Sequence, residues 1–396
     1  MKTRRRLLGL LVFLFFMTTG GLCFGQVVPG VTADTIKLGV LSDLTGKASY
    51  YGRACADATT VYFKYVNEKG GINGRKVEVI VEDHQWNVSQ NTAAAKKLLK
   101  RDNVFALPIS YSTLTTQAMI PLIEEEKVPT IAISEAREMF MPPKRYLFAT
   151  GTPYDLQIEV ALNYITKNLK KKDAKFGLLF QDDDSGVTCR RVLEKWDKEG
   201  KIKFVRSEPF KQGDVDYSTQ AVNLNRFAPD YTVLMSEART TASFLREAKK
   251  IGFSCQFIGV SSAVSSGMLD LAGDASEGFW GINSKAETYE DVPGMVFLRQ
   301  VTEKQMGKYD INPYYVYGWV NALVMGEGLK RAGRNLTREG LVNGLESLKN
   351  FDVGGLVAPI TYGPNKRFSG DKARLVKVDI QNKKFIPIAE WRGPED

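Results

Sequence analysis

Histidine is almost absent from this 396-residue chain, which contains one copy, His84. A histidine-based catalytic triad therefore has only one possible position, and a zinc site with several histidine ligands has none. No Gly-x-Ser-x-Gly motif supplies a nucleophile, which weakens the interpretation as an exported hydrolase. The sequence predicts a protein that is not an enzyme.

Cysteine is also scarce, with four copies and no Cys-x-x-Cys spacing. This scatter excludes the usual iron–sulfur and structural zinc patterns, and we expect neither a cofactor nor a bound metal. Three cysteines follow residue 25, so at least one thiol stays unpaired within a monomer. Whether Cys189 and Cys255 pair is left open.

A dense basic tract is missing from most of the chain. The chain has 54 Lys and Arg residues and 45 Asp and Glu residues. Four of the basic residues lie within the first 25 residues, so the rest of the chain has a net charge of only +5. A charge this small on a body this large argues against nucleic acid as a partner. The 43% hydrophobic and 25% charged residues are typical of a globular protein of about two domains.

The first 25 residues have the order of a secretory signal peptide. Three arginines precede an apolar run of eleven residues, 7–17, and small residues follow. We expect cleavage before Gln26 and export to the periplasm, with an uncleaved anchor as the alternative. Lipid attachment at Cys23 is a further alternative, which the bulky Leu22 disfavours.

Short apolar runs alternate with amphipathic segments from residue 36 onward, which predicts parallel α/β architecture. The alternation occurs once before about residue 150 and again after it, which indicates two similar lobes. In open parallel sheets ligands bind beyond the carboxyl ends of the strands, so two facing lobes would form a cleft. The predicted strands are 36–41, 77–81, 104–107, 130–133, 176–180, 231–235, 257–260 and 279–282.

Several strand ends carry a recognisable combination of motifs: IKLGVLSDLTG (36–46), NEKGGINGRK (67–76), VPTI (128–131), QDDDSG (181–186) and AGDASEG (272–278). The combination resembles the exported leucine/isoleucine/valine-binding proteins, which are type I periplasmic binding proteins of ABC importers. Further matches at 51–52, 81–83, 248–252 and 354–363 extend the resemblance over nearly all of the chain after the signal peptide.

The resemblance implies two Rossmann-like lobes with parallel sheets, joined by a three-crossing hinge that closes over one solute. The first lobe would comprise residues 26–154 plus 284–351, and the second 155–283 plus 352–396. Permease subunits of an ABC importer would be the partners, and we expect a monomer.

Ligand contacts of the family map onto the ends of the first-lobe strands. Ser112 and Thr113, before a helix, match its carboxylate contact, and hydroxyls with free helix N–H groups suit a carboxylate. Helix capping alone is the alternative. Ser134 matches a second contact, while Ala136 stands where the family usually has threonine. Asp155 with Tyr154 would lie near a ligand ammonium, although Asp155 is equally placed to cap the following helix.

The second lobe departs from the family pattern. Ser185 replaces an aromatic wall, and Ser261 with Ser262 follows Gly259 where amino-acid binders carry a glutamate for the ammonium group. Glu237 and Arg239 are predicted either to bind opposite ends of a polar ligand or to pair with each other. Two further aromatic residues are candidates for one side of the cleft, with surface packing as the alternative: Tyr51 and Trp86.

We therefore predict an exported solute receptor of an ABC importer that binds a small carboxylate-bearing organic acid or amino-acid-like solute. The missing aromatic wall at Ser185 and the missing acid at Ser261 argue against a branched-chain amino acid as the ligand. Without the acid, the buried ammonium group of such a ligand would be poorly paired. A ligand-sensing regulator of the same fold, responsive to amides or amino acids, is the alternative.

Overall fold

The computed structural model describes residues 28–396, so the predicted signal peptide and Cys23 lie outside the described residues. Twelve strands and eleven α-helices are described there. The strands are β1 (Thr35–Ser42), β2 (Lys76–Asp83), β3 (Ala106–Tyr111), β4 (Thr130–Ile133), β5 (Leu147–Ala149), β6 (Lys175–Gln181), β7 (Lys203–Phe210), β8 (Tyr231–Met235), β9 (Gln256–Gly259), β10 (Trp280–Asn283), β11 (Arg374–Asp379) and β12 (Lys384–Pro387). The helices are α1 (Ser49–Glu68), α2 (Val88–Lys96), α3 (Thr113–Glu125), α4 (Tyr154–Asn163), α5 (Asp184–Lys198), α6 (Ser218–Asn225), α7 (Ala238–Lys250), α8 (Ser266–Ala272), α9 (Pro293–Met306), α10 (Pro313–Ala332) and α11 (Arg338–Glu346).

Two separate sheets organise the chain. The first has the order β2-β1-β3-β4-β5 and is parallel throughout. The second has the order β12-β11-β10-β9-β8-β6-β7, in which β11 runs antiparallel to both of its neighbours, β10 and β12, and the other neighbouring pairs are parallel. The predicted α/β class with two parallel sheets is confirmed, and the hairpin is an addition that the strand pattern did not indicate.

Glycines lie at the carboxyl ends of helices α1 and α7. Helix α1 stops before Gly70 and Gly71, both with positive φ, and the Gly71 N–H donates to the carbonyl of Val66. Glycine adopts this left-handed conformation without a steric penalty, which explains its use as a helix terminator. Gly252 ends α7 in the same way.

Strand β3 begins two residues later than predicted and runs on to Tyr111, so Ser110 belongs to the strand rather than to the following turn. Pro108 lies inside it, and the register with both neighbouring strands shifts around this residue. Proline has no N–H for the ladder, and a local irregularity accommodates it.

The chain crosses between the sheets after β5, after β10 and again before β11. Side chains from 353 to 362 are buried in the core of the first sheet, whereas Ala373 and Leu375 lie in the core of the second. The third passage therefore falls between residues 362 and 373 rather than at Asp352, because the apolar side chains of 353–362 pack against the first core. The lobe assignment itself stays a prediction.

Helix α10 packs closely on α1 and thereby fixes the position of its own first turns. A Cβ at Gly318 would lie 2.5 Å from the backbone oxygen of Cys55, so only glycine allows this approach. The thiol of Cys55 lies 3.3 Å from the carbonyl oxygen of Tyr314. Two tyrosines of α10, Tyr314 and Tyr317, are in this way held toward the space between the sheets.

All three cysteines of the described residues are free: Cys55, Cys189 and Cys255. The disulfide left open between Cys189 and Cys255 is therefore not formed. Within residues 28–396, no helix combines the length and the apolar character needed to cross a membrane.

Candidate functional site

A cavity of about 190 Å³ lies between the two sheets. Its walls come from the segments that follow β3, β4 and β5 on one side and β6, β8 and β9 on the other, with the start of α10 between them. This is the location expected for a ligand in facing parallel sheets. Nine of the twelve predicted site residues line it: Tyr51, Trp86, Ser112, Thr113, Ser134, Tyr154, Ser185, Glu237 and Ser261.

The start of α3 presents donors to the cavity. Ser112 precedes the helix with φ of 82°, a conformation that is unfavourable for any residue except glycine, and its side chain makes no capping hydrogen bond. Its Oγ instead accepts from Trp86 Nε1 at 3.1 Å, and Thr113 Oγ1 lies 2.8 Å from Ser134 Oγ. The first N–H groups of a helix have no intrahelical acceptor. Hydroxyls and amides together therefore form a group suited to an anion.

The other hydroxyls near this turn have structural roles. Thr115 Oγ1 donates to the carbonyl of Tyr111 at 2.6 Å, and Thr116 shares a buried hydrogen bond with Ser110. Each therefore satisfies a polar group of the strand–helix turn. Only Ser112 and Thr113 of this cluster reach the cavity.

Three predicted contacts do not reach the cavity wall. Ala136 is buried in the first core, with its N–H directed to Ser134 Oγ. The Asp155 carboxylate pairs with Arg137, so it serves neither as an ammonium partner nor as the side-chain cap of α4, which begins after Pro153. Arg239 is exposed and outside the wall, and it forms no ion pair with Glu237 in the described chain.

Two acidic residues of the second-sheet side line the cavity, and only one of them, Asp183, has a carboxylate with hydrogen-bond partners among the described residues. Asp183 caps α5 by accepting from the Gly186 N–H at 2.9 Å, and Gln181 Nε2 donates to its other oxygen. Burial raises the pKa of the Asp183 carboxyl. Glu237, at the exposed rim of the cavity, has no side-chain hydrogen bond to any described residue. Among residues 28–396, no cluster of acids, cysteines and histidine is arranged to hold a metal ion.

Tyrosines form an aromatic wall that the sequence identified only in part. Tyr51 packs against Tyr314 with ring centroids 4.5 Å apart, and the rings of Tyr111 and Tyr317 each lie 6.0 Å from that of Tyr314. Burial, with the nearby charge of Glu237, raises the pKa of Tyr51 to about 12. The i, i+3 spacing of 314 and 317 was a usable signal, but it is equally typical of a buried helix face.

A buried carboxylate, Glu135, joins the elements around the cavity. Its Oε1 accepts from Tyr317 Oη at 2.5 Å and from Ser284 Oγ at 2.8 Å. Its Oε2 accepts from Gln157 Nε2 at 3.1 Å and from the hydroxyl of Ser261. Four side-chain donors therefore satisfy this carboxylate. Nothing in the spacing of the sequence indicated this network.

One buried cation also lines the cavity. Lys285 is 2% exposed, and its Nζ lies 4.7 Å from the centre of the Tyr317 ring. Burial lowers the pKa of Lys285, while the charges of Glu287 and Glu135 oppose the shift. The sequence analysis missed it because an isolated lysine after a strand resembles any surface lysine.

The fold and the inter-sheet cavity define a two-lobed solute-binding protein, and comparison with known proteins identifies its family. Residues 35–384 match the model of the family described as "Periplasmic binding protein". The chain belongs to that family and, within it, to the type I periplasmic binding proteins related to the Leu/Ile/Val-binding proteins. This confirms the resemblance seen in the sequence.

Curated relatives match about two thirds of their own length. A leucine-, isoleucine-, valine-, threonine- and alanine-binding protein of Pseudomonas aeruginosa is 26% identical over 63% of this chain and 66% of its own. The Leu/Ile/Val-binding protein of Escherichia coli is 22% identical over 66% of this chain and 70% of its own.

Solved structures match over nearly the whole chain. A fatty acid ABC transporter substrate-binding protein from Thermomonospora curvata has a TM-score of 0.82 and 28% identity over 92% of this chain and 94% of its own. A branched-chain amino acid ABC transporter protein from Thermus thermophilus with bound valine has the same TM-score, with 23% identity over 92% and 97%. These relatives are solute-binding proteins, which is consistent with the prediction that this chain is not an enzyme.

Proposed function

We propose that the protein is an exported solute receptor of an ABC importer, which binds a small carboxylate-bearing solute between its lobes and closes by hinge motion. The observation that carries this proposal is the start of α3. One cavity is lined there by the Ser112 hydroxyl, which makes no capping hydrogen bond, by the hydrogen-bonded Thr113–Ser134 pair and by the first amides of the helix. Helix N-termini favour anions through both their unpaired N–H groups and the helix dipole.

Two variants test the carboxylate site. Thermal-shift screening of ligand-free protein against carboxylates comes first, because a ligand at a thousand times its Kd adds about 4 kcal/mol of stability. Titration calorimetry then compares Ser112→Ala/Thr113→Ala with Thr60→Ala, which removes an exposed helical hydroxyl elsewhere. We expect the double variant to lose one to several decades of affinity, since hydrogen bonds to charged groups contribute about 1.5–3 kcal/mol each. Unchanged affinity would remove this turn from the site.

An amino-acid-like solute is the second candidate, and the free carboxylate of Glu237 favours it. Glu237 lines the cavity and has no partner among the described side chains, so a ligand ammonium could pair with it. Glu237→Gln separates the two candidates. It should weaken binding of an amino acid and leave binding of an organic acid without an amine unchanged.

Transport and sensing also require separate experiments. Neighbouring genes for permease and ATPase subunits would support the import role. Stimulation of a reconstituted permease–ATPase complex by the loaded receptor is the direct measurement. A neighbouring regulator in their place, with no stimulation, would favour the sensing role.

A further inference from the structure

Lys285 lies on the segment that returns from the second sheet to the first. It directly follows Asn283 and Ser284 at the end of β10, and its backbone forms an isolated bridge with Val357. The next residue, Ala286, is hydrogen-bonded to Leu356 at 2.7 Å. The backbone that carries Lys285 is thus held by contacts on the first-sheet side, beside the cavity.

The ammonium of Lys285 has no anionic partner of its own. No carboxylate of the described residues lies within 4.0 Å of Nζ, although the side chain is 2% exposed. Glu135 already accepts four hydrogen bonds from other side chains, and Glu287 accepts from Asn283 Nδ2. A buried cation is costly unless it is paired, and the open side of this one faces the cavity.

The cavity therefore contains two groups that suit anions, and they are separate. The first is the start of α3 with Thr113 and Ser134, and the second is Lys285. A chain of contacts connects them: the Glu135 carboxylate, which follows Ser134 in the chain, accepts from Tyr317 Oη, and the face of the Tyr317 ring contacts Lys285 Nζ. One carboxylate that bridged both groups would have to lie against the negative charge of Glu135.

We propose that Lys285 is a specificity-determining residue that binds a second anionic group of the solute, so that the preferred ligands are dicarboxylates. This inference rests on the proposed carboxylate site at α3. The aromatic wall around Tyr314 would pack the carbon skeleton between the two charged ends.

Matched pairs of probes test the proposal by calorimetry: hexanoate with adipate, and benzoate with terephthalate. The wild-type protein should bind the diacid of at least one pair about tenfold or more tightly than the monoacid, as expected for one added charge-assisted hydrogen bond. Lys285→Met, which keeps a long unbranched side chain without the charge, should abolish that preference, so that the variant binds the diacid and the monoacid about equally. Lys285→Arg should retain part of it.

The control is Lys384→Met. Lys384 also lies over a tyrosine ring, with Nζ 5.0 Å from the centre of Tyr289, but it is outside the cavity. The Lys384→Met variant should leave the preference for diacids over monoacids unchanged. The ratio of diacid to monoacid affinity is the readout because a general folding defect would lower both affinities together.

The outcomes separate this inference from the proposed function. The role of Lys285 is overturned if the wild-type protein binds monoacids as tightly as diacids. It is also overturned if Lys285→Met lowers the affinities for both equally. Neither result contradicts the carboxylate site at α3. Binding of neither class overturns both.

Discussion

The hydroxyl of Ser261, which follows the second-sheet strand β9, donates a hydrogen bond to the carboxylate of Glu135, which follows the first-sheet strand β4. Gln157 supports the same contact: its Nε2 donates to Glu135, and its Oε1 accepts from the Ser261 N–H at 2.9 Å. The two sheets are therefore connected at the cavity wall by a buried polar network. A fully satisfied network of this kind favours one arrangement of its elements.

Removal of this acceptor should destabilise the protein. Glu135→Ala would remove the shared acceptor of four buried donors. Gln157 Nε2 would keep the Thr152 carbonyl, and the Ser284 and Tyr317 hydroxyls would keep each other, but the Ser261 hydroxyl and one of that pair would lose an acceptor, and an unsatisfied buried polar group costs about 1–3 kcal/mol. We expect a loss of about 3 kcal/mol or more in the free energy of unfolding, measured by urea denaturation. Glu303→Ala, at an exposed position of α9, is the matched control and should change little. Equal stability of the two variants would show that the network is dispensable.

The carboxyl of Glu287 should give the protein a characteristic pH dependence. Burial raises its pKa to about 7, with Lys285 and Arg374 acting to lower it and Glu290 to raise it. Between the ordinary pKa of about 4.3 and this value the folded state binds more protons than the unfolded state, so stability falls as the pH rises through that window.

Comparison with Glu287→Gln isolates the contribution of this group. The wild-type free energy of unfolding should fall between about pH 4.5 and pH 7 more steeply than that of the variant, by at most about 1.4 kcal/mol per pH unit. Parallel curves for the two proteins would contradict the assignment.

Tyr51 should contribute to binding without contributing much to folding. Its ring lines the cavity against Tyr314, whereas its neighbour Tyr50 is 57% exposed and outside the wall. Tyr51→Ala should weaken the best ligand of a carboxylate screen several-fold, in keeping with about 0.5–1.5 kcal/mol for an aromatic contact. Tyr50→Ala should not. The same loss in both variants would assign the effect to local structure rather than to ligand contact.

Branched-chain amino acids should bind weakly, although several relatives are named for them. Ser261 follows β9 where the family resemblance places an ammonium-binding acid, and its hydroxyl donates a hydrogen bond to Glu135. Ser185, buried in the first turn of α5, offers no aromatic surface to an aliphatic side chain. Titration with leucine, isoleucine and valine should give no binding in the micromolar range, which corresponds to about 8 kcal/mol. Micromolar binding of any of the three would show that Glu237 or another group replaces the missing acid.

The arrangement of strands and helices was largely predictable, because hydrophobic periodicity and terminal glycines such as Gly71 act locally. The carboxyl end of β3 was not predictable, because a proline such as Pro108 normally indicates that a strand has ended. Here the register with β4 shifts around Pro108, and the strand continues. In the cavity wall, the hydroxyls of Ser112 and Thr113 were predicted from helix-start chemistry and the family resemblance, and their contact with a ligand stays a prediction. Glu135 and Lys285 were missed because their roles depend on partners far away in sequence, and Asp155 was misassigned because Arg137 competes for it.

The central claim, a carboxylate site at the start of α3, is tested most directly by one calorimetric comparison. Protein freed of bound solute by unfolding and refolding is titrated with the best carboxylate from the screen and with the carboxamide of the same skeleton. The account predicts that the carboxylate binds at least about tenfold more tightly, because the donors at Ser112 and Thr113 gain a charged acceptor. Equal or tighter binding of the carboxamide would contradict it.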